Sequence, residues 1–340
     1  MRFPWANLAL LGLLLVQLAT GVAGLVGAGP IVFWLHVIGA YALVAVVFAK
    51  ALLVVHAWRR RGRRRTTRAV LVVLASLLVA VLVSGFAWSA FGPHYLLGYS
   101  VINVHAFLAL GLLTLLAWHV VDRRWIVRVP AARDRRAFLY VAASGLLGIV
   151  LWRLERPAQH TFGLPGARRR WTGSYETASG TPFFPETSWI DDAPQPIDAS
   201  TWRLVVDGAV RRPLELRLDE LRHHRRDSRE AIIDCTGGWY SRQHWEGIVV
   251  ADLLAEARLE AGAESVSFVS VTGYTRRFSL EHARGLLLAT DVAGTQLDHG
   301  HGFPLRLVVP GRRGVDWVKW IVRIRVERTS ALLQPPLPLT

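Results

Sequence analysis

With 340 residues, 52% of them hydrophobic, the chain holds enough apolar material for two domains and more than an ordinary soluble protein carries. Its 40 Lys and Arg against 25 Asp and Glu give a net charge of +15, which would suit nucleic acid if the excess covered one face. Much of it lies instead in two short loops between apolar runs, which argues against a nucleic-acid partner: Arg59, Arg60, Arg61, Arg63, Arg64, Arg65 and Arg68, then Arg123, Arg124, Arg128, Arg133, Arg135 and Arg136.

Five segments are candidate membrane helices against the roughly 20 apolar residues needed to cross a bilayer: residues 8–26, 31–58, 69–91, 101–121 and the shorter 138–152. Placing both arginine-rich loops in the cytoplasm puts the N-terminus inside and the turns at 27–30 and 92–100 outside. Everything after Trp152 then lies outside. The fifth segment opens Asp134-Arg135-Arg136-Ala137-Phe138-Leu139, which resembles the twin-arginine export signal, a route for proteins already folded. It departs from that pattern at Asp134, where Ser or Thr is common, and at Tyr140, where Lys is common. The alternative is that these are further inside-positive charges.

Four histidines lie within the second and fourth helices or at their ends: His36, His56, His105 and His119. Paired imidazoles on two helices would hold b-type haem. His105 and His119 are 14 residues apart, hence on nearly one face and about 21 Å apart along the axis. His36 sits about as deep as His105, making these two the best pair. His36 and His56, 20 residues apart, fall on nearly opposite faces, and the position 14 beyond His36 is Lys50, so the second haem is the weaker expectation. Without haem, the four are hydrogen-bonded packing residues of an anchor.

From residue 153 to about 189 the composition suits a linker, assigned to 156–173, and an irregular entry strand. Short strands follow at 202–206, 231–233, 265–271, 305–309 and 317–326, with helix-like stretches at 218–224, 250–257 and 280–287. The organisation predicted is a helical domain at 1–155, an α+β, strand-rich domain at 174–330 and a tail at 331–340.

Cys235 is the only cysteine, so no intrachain disulfide forms. It ends a β-like run and precedes Thr236-Gly237-Gly238-Trp239, where two glycines let the backbone approach a bulky ligand. A thiolate there is a soft donor for a transition metal; a lone buried cysteine is otherwise a small hydrophobe.

The stretch Ala231-Ile232-Ile233-Asp234-Cys235-Thr236-Gly237-Gly238-Trp239 resembles the molybdenum-ligand segment of the sulfite oxidase family. A distant stretch, His301-Gly302-Phe303-Pro304-Leu305-Arg306 through Gly311-Arg312-Arg313-Gly314-Val315-Asp316-Trp317-Val318-Lys319-Trp320, resembles its pterin-binding segment. The resemblance covers roughly 174–326 and implies a molybdenum–molybdopterin cofactor. Cys235 would ligate the metal. His301, Gly302, Arg306, Arg312, Trp317, Val318 and Lys319 would hold the pterin, cations taking its phosphate. Arg312 and Arg313 read equally as solvated loop charges.

Two departures bear on substrate. The family's active-site tyrosine in an Ala-Tyr-Glu segment is matched here by Ala289-Thr290-Asp291, and the region of its substrate arginine, Phe183-Phe184-Pro185-Glu186-Thr187, has none. The resemblance thus implies a multi-pass membrane-bound molybdopterin oxidoreductase with its catalytic domain outside. It would reduce an S-oxide or similar small molecule with electrons from the quinone pool or a separate electron-transfer partner, with haem b as an intermediate carrier. The alternatives are an oxidase acting on a sulfite-like substrate, a metal-free binding or sensor module on an anchor, and a transporter or stand-alone quinol cytochrome.

Overall fold

The computed structural model describes residues 4–58, 65–122, 135–189, 192–224 and 226–335, with side chains from 8–51, 69–121 and 139 onward. The cores of both arginine-rich loops, Asp134, and the side chains of His56, Arg135 and Arg136 lie outside the described residues. The chain divides into two compact units, Met1–Tyr175 and Glu176–Thr340.

The first unit comprises helices α1 (Pro4–Leu25), α2 (Pro30–Trp58) and α3 (Arg65–Phe91), a hairpin of β1 (Tyr95–Leu96) and β2 (Tyr99–Ser100), then α4 (Val101–Asp122) and α5 (Arg135–Thr161). Proline opens α1 and α2, where its missing N–H costs nothing and its fixed φ suits the first turn. The helices are apolar nearly all round, as elements immersed in hydrocarbon are. Packing pairs α1 with α2, α2 with α5, and α3 with α4. Leu14, Leu43, Leu78 and Leu112, one from each of α1 to α4, form the buried seam.

Four helical stretches are long and apolar enough to cross a membrane: Leu8–Leu25, Pro30–Ala51, Ala69–Phe91 and Val101–Val121. The fifth expected span is indeed helical, but its described part does not reach that measure, because Arg153, Glu155 and Arg156 interrupt the apolar run.

The expected linker at 156–173 also differs. Helix α5 continues to Thr161, and the following residues fold onto the first unit. Arg169 bridges Glu155 (2.7 Å) and the Ser89 carbonyl (2.6 Å), with both charged side chains largely buried. The Trp88 indole donates to Gly173 O (2.8 Å), and the Tyr175 hydroxyl donates to Trp88 O (2.6 Å). A polar composition read as linker is here consumed by specific long-range bonds.

In the second unit, which begins within the two-residue strand β3 (Tyr175–Glu176), one sheet has the order β5-β4-β13-β8-β9. These are β4 (Leu204–Gly208), β5 (Leu214–Leu216), β8 (Ser265–Ser270), β9 (Thr275–Ser279) and β13 (Ile321–Glu327). Only the β4–β13 pair is parallel. In the other sheet β7 (Trp239–Val249) pairs with β6 (Arg226–Asp234) and with β10 (Leu287–Val292), and β10 also pairs with β11 (Thr295–Gln296) and β12 (Arg306–Val308). Helices α6 (Leu218–His223), α7 (Val250–Ala257) and α8 (Leu280–Arg284) complete the α+β unit.

The longest strand, β7, turns Trp239, Ser241, Gln243 and Trp245 inward, so its buried face is half polar and carries a weak hydrophobic alternation. Gln243 repays its burial by donating to the carbonyls of Ala178 (2.9 Å) and Thr181 (2.8 Å). At Gly247 an added Cβ would lie 1.9 Å from the Leu288 carbonyl, so only glycine lets β7 and β10 approach this closely. Trp245 is completely buried at the centre of this packing. Truncation by Trp245→Ala is expected to destabilise the second unit by about 3–5 kcal/mol, as a lowered midpoint in chemical denaturation of the purified full-length protein.

Candidate functional site

Strand β6 ends at Asp234 and delivers Cys235 into the turn to β7. That turn is closed by Cys235 N–H to Trp239 O (2.9 Å) and Gly238 N–H to Cys235 O (3.1 Å). Gly238 has φ +90°, a conformation that favours glycine. The thiol is buried, and its Sγ accepts the Gly237 N–H at 3.3 Å. Burial raises the thiol pKa, against the opposing pull of that N–H, the Thr187 hydroxyl and the Arg313 charge.

The loop before β13 is fastened to this turn. Arg313 pairs with Asp234 at 2.7 Å and donates to Cys235 O at 3.0 Å, every charged group being buried. Asp234 and Arg313 also form a parallel backbone bridge, and an added Cβ at Gly314 would meet Cys235 Cα at 3.3 Å. The two segments singled out in the sequence, nearly eighty residues apart, thus form one wall.

Arg306, at the start of β12, is buried between the indoles of Trp245 (5.4 Å) and Trp317 (5.9 Å). It donates to His301 O at 2.8 Å, while its buried Nε has no partner and no carboxylate pairs with it among the described residues. Burial pulls its pKa down to about 10. The Lys319 ammonium donates to Ser188 Oγ (2.9 Å) and Gly300 O (2.8 Å) and lies 4.2 Å from the Trp320 ring. Burial first, then Arg306, lower its pKa to about 8. Gly302 has φ +110°, and a side chain there would press on the Lys319 stem at 3.1 Å.

Cys235, Arg306, Lys319, His301 and Trp317 line one pocket, partly open to solvent. His301 offers no free nitrogen there: Nδ1 meets Asp298 at 2.9 Å, Nε2 meets Phe184 O at 2.8 Å, and its ring centroid lies 3.9 Å from that of Phe184. Val318 is buried behind the wall, its carbonyl accepting from Leu307 N–H. Arg312 is exposed and outside the lining, contributing its carbonyl to the Trp317 indole at 3.3 Å. Sequence reasoning missed Thr187, Ser188, Asp192 and Tyr274 on the pocket wall, since their signal is spatial alone. Thr290, where the family tyrosine was sought, points along β10 to Asp291 (2.6 Å) and does not line the pocket.

In the first unit, His36 of α2 and His105 of α4 face one another, their ring centroids 6.3 Å apart and their planes at 81°. Both are held through Nδ1: His36 by Thr20 Oγ1 (2.9 Å), His105 by Val81 O (2.9 Å) and Ser84 Oγ (3.3 Å). Gly21 and Gly85 lie against the rings, where a Cβ would come within 3.6 Å and 3.1 Å of the nearest imidazole atom. His119 is half-buried in α4, and its intended partner His56 lies outside the described side chains.

A buried thiol beside an unpaired buried cation defines a site for an anionic, metal-bearing cofactor, and the comparisons name the class. Residues 191–332 match the oxidoreductase molybdopterin binding domain. Sulfite oxidases are among the proteins to which this region is similar. Mitochondrial sulfite oxidase of Rattus norvegicus is 32% identical over 163 residues, covering 38% of this chain and 30% of that one. The protein-methionine-sulfoxide reductase catalytic subunit MsrP of Gluconobacter oxydans is 32% identical over 145 residues, 37% of this chain and 46% of that one. Nitrate reductase [NADH] 1 of Oryza sativa subsp. japonica is 30% identical over 169 residues, 39% and 18% respectively. The chain spans less than half the length of each of these relatives.

A raised thiol pKa means that little thiolate exists near neutrality. In metal-free protein, iodoacetamide should label Cys235 more slowly than a small free thiol at pH 8, with a rate still climbing beyond pH 9. Mass spectrometry of the alkylated chain would check both.

Proposed function

We propose that the chain is a membrane-bound molybdenum oxidoreductase whose second unit works outside the cytoplasmic membrane and reduces an S-oxide or similar small oxidised substrate with electrons from the quinone pool. The observation that carries it is Arg306: a buried guanidinium with no carboxylate paired to it among the described residues, in the pocket of the only thiol. A buried cation is costly unless an anion meets it. The pterin phosphate is such an anion. Arg306 and Lys319 would bind it, Cys235 Sγ would ligate the metal, and Arg313 and Gly314 would hold the cysteine loop in place. Gly302 would keep Lys319 close, and His301 would brace the wall. The cofactor, when bound, supplies oxygen-atom transfer with two-electron redox chemistry.

The reducing direction rests on the pocket and on one relative. Glu186 and Thr187 line the pocket where the family carries its substrate arginine, and Thr290 does not line it, so among the described residues the pocket offers sulfite no cation beyond Arg306 and Lys319, which the cofactor phosphate would take. One relative is a protein-methionine-sulfoxide reductase catalytic subunit. The arginine-rich loops favour the orientation, and twin-arginine export would deliver the loaded domain. A metal-free scaffold would have no use for Cys235 and Arg306 together. In Cys235→Ser, turnover should fall by roughly 100-fold or more. Wild-type protein should contain molybdenum and reduce S-oxides with a reduced dye far faster than it oxidises sulfite; brisk sulfite oxidation would reverse the direction.

Haem b between His36 and His105 would link the helices to quinol. Two nitrogen–metal bonds of about 2 Å placed end to end need ring centroids about 6 Å apart, and the rings stand at 6.3 Å. With Nδ1 occupied on each ring, Nε2 is the nitrogen left to ligate iron, and the glycines at 21 and 85 spare room beside the rings. His105→Ala should abolish a b-type spectrum and quinol-driven turnover while dye-driven turnover persists. A colourless wild-type protein with full quinol-linked activity would remove haem from the pathway.

A further inference from the structure

The cofactor reading uses up the positive charges of the pocket and leaves its negative ones. Arg306 and Lys319 are deep: one lies against two indoles, and the other donates to Ser188 and Gly300. Glu186 and Asp298 are exposed at the rim, with Glu186 packed over Gly300 so closely that a Cβ there would collide with its carboxylate. Their oxygens and a His301 nitrogen lie within 4.8 Å of one another. This is not a metal cage, because Asp298 already accepts the His301 backbone N–H and ring nitrogen.

Asp192 supplies the second, independent observation. It lines the same pocket, is 8% exposed, and its buried Oδ1 has no partner among the described residues. A buried carboxylate oxygen without a donor is costly, and it persists where a ligand brings the donor. The phosphate and dithiolene of the cofactor are anionic and would be repelled by it; the donor comes either from a pterin N–H or from a substrate entering at the rim, and molybdenum retention in Asp192→Asn tells the two apart.

We propose that Asp192 and Glu186 set the charge preference of the substrate site, selecting neutral or cationic oxides that present an N–H or ammonium and rejecting anionic ones. This rests on the reductase reading above and names its substrate class. The two carboxylates differ in character. Asp192 is desolvated, so its contribution is large and insensitive to salt, whereas Glu186 is exposed and screened. Attraction of this kind separates a cation from a matched anion by about tenfold or more per carboxylate at low salt.

The test compares two S-oxides that share the methionine sulfoxide side chain and carry opposite charge, methionine amide sulfoxide (cationic) and N-acetylmethionine sulfoxide (anionic), on molybdenum-loaded full-length protein. Two readouts are taken: kcat/KM with a reduced dye, and binding followed by tryptophan emission, since Trp189, Trp239 and Trp317 line the pocket. The cation should be favoured in both. Asp192→Asn should collapse most of the ratio at any salt, and Glu186→Gln should remove a smaller part that high salt also removes. Equal or inverted preference in the wild type, or a ratio unmoved by Asp192→Asn, would overturn the proposal. Loss of molybdenum from Asp192→Asn would overturn it too, by giving the carboxylate to the cofactor. If neither S-oxide is reduced, the reductase reading fails, while the binding titration still decides the charge preference.

Discussion

The buried pair between Asp234 and Arg313 is the contact on which the site depends. Taking two charges out of water costs several kcal/mol per ion, and the pair is tolerated only because its geometry is close and the guanidinium also reaches the Cys235 carbonyl. Removing one partner strands the other, typically at about 3–5 kcal/mol. That asymmetry locks a strand end to a loop that is distant in sequence. Gly314 allows the loop to lie flat on Cys235, and Asp316 at its far end is tied by a second buried pair to Arg276 at 2.7 Å. The thiol, the loop and strand β9 are therefore fastened to one another.

What the sequence made legible divides along physical lines. The α+β character, the apolar helices and the positions of Cys235, Arg306, Trp317 and Lys319 were readable because they ride on local patterns or contiguous motifs. Arg312 and Arg313 were not separable from the sequence. Adjacent and chemically identical, one is exposed and the other buried solely because Asp234 lies across from it. The same holds for Asp192, Thr187 and Ser188, whose importance comes from partners far along the chain. Residues 156–173 looked like linker because Gly, Pro and Arg carry no period. Their order comes from single bonds to Trp88, Ser89 and Glu155, which no window of sequence contains.

The helical unit solves a different problem. Its apolar surfaces fit almost any neighbour equally well, so hydrophobicity fixes that the helices exist but not which faces meet. Register comes from a few polar contacts: Gln17 donates to His36 O at 3.0 Å, Thr20 Oγ1 meets the His36 ring, and Val81 O accepts from the His105 ring, which Ser84 Oγ also meets. Each histidine is oriented by the helix next to its own, so α1 to α4 all contribute to one pair of rings.

The raised thiol pKa of Cys235 has a consequence for the life of the protein before it is loaded. Peroxide attacks thiolate, not thiol, and the steps from sulfenic to sulfonic acid follow thiolate character and access. A cysteine kept neutral by burial and shut behind Trp239 and Thr187 is slow to start down that ladder. With no second cysteine in the chain, it has no neighbour with which to form an internal disulfide that would shield or regenerate it. Its protection from oxidation is therefore packing rather than redox chemistry, and a mutation that merely loosened the 187–189 wall would shorten the time over which the empty site stays chemically intact.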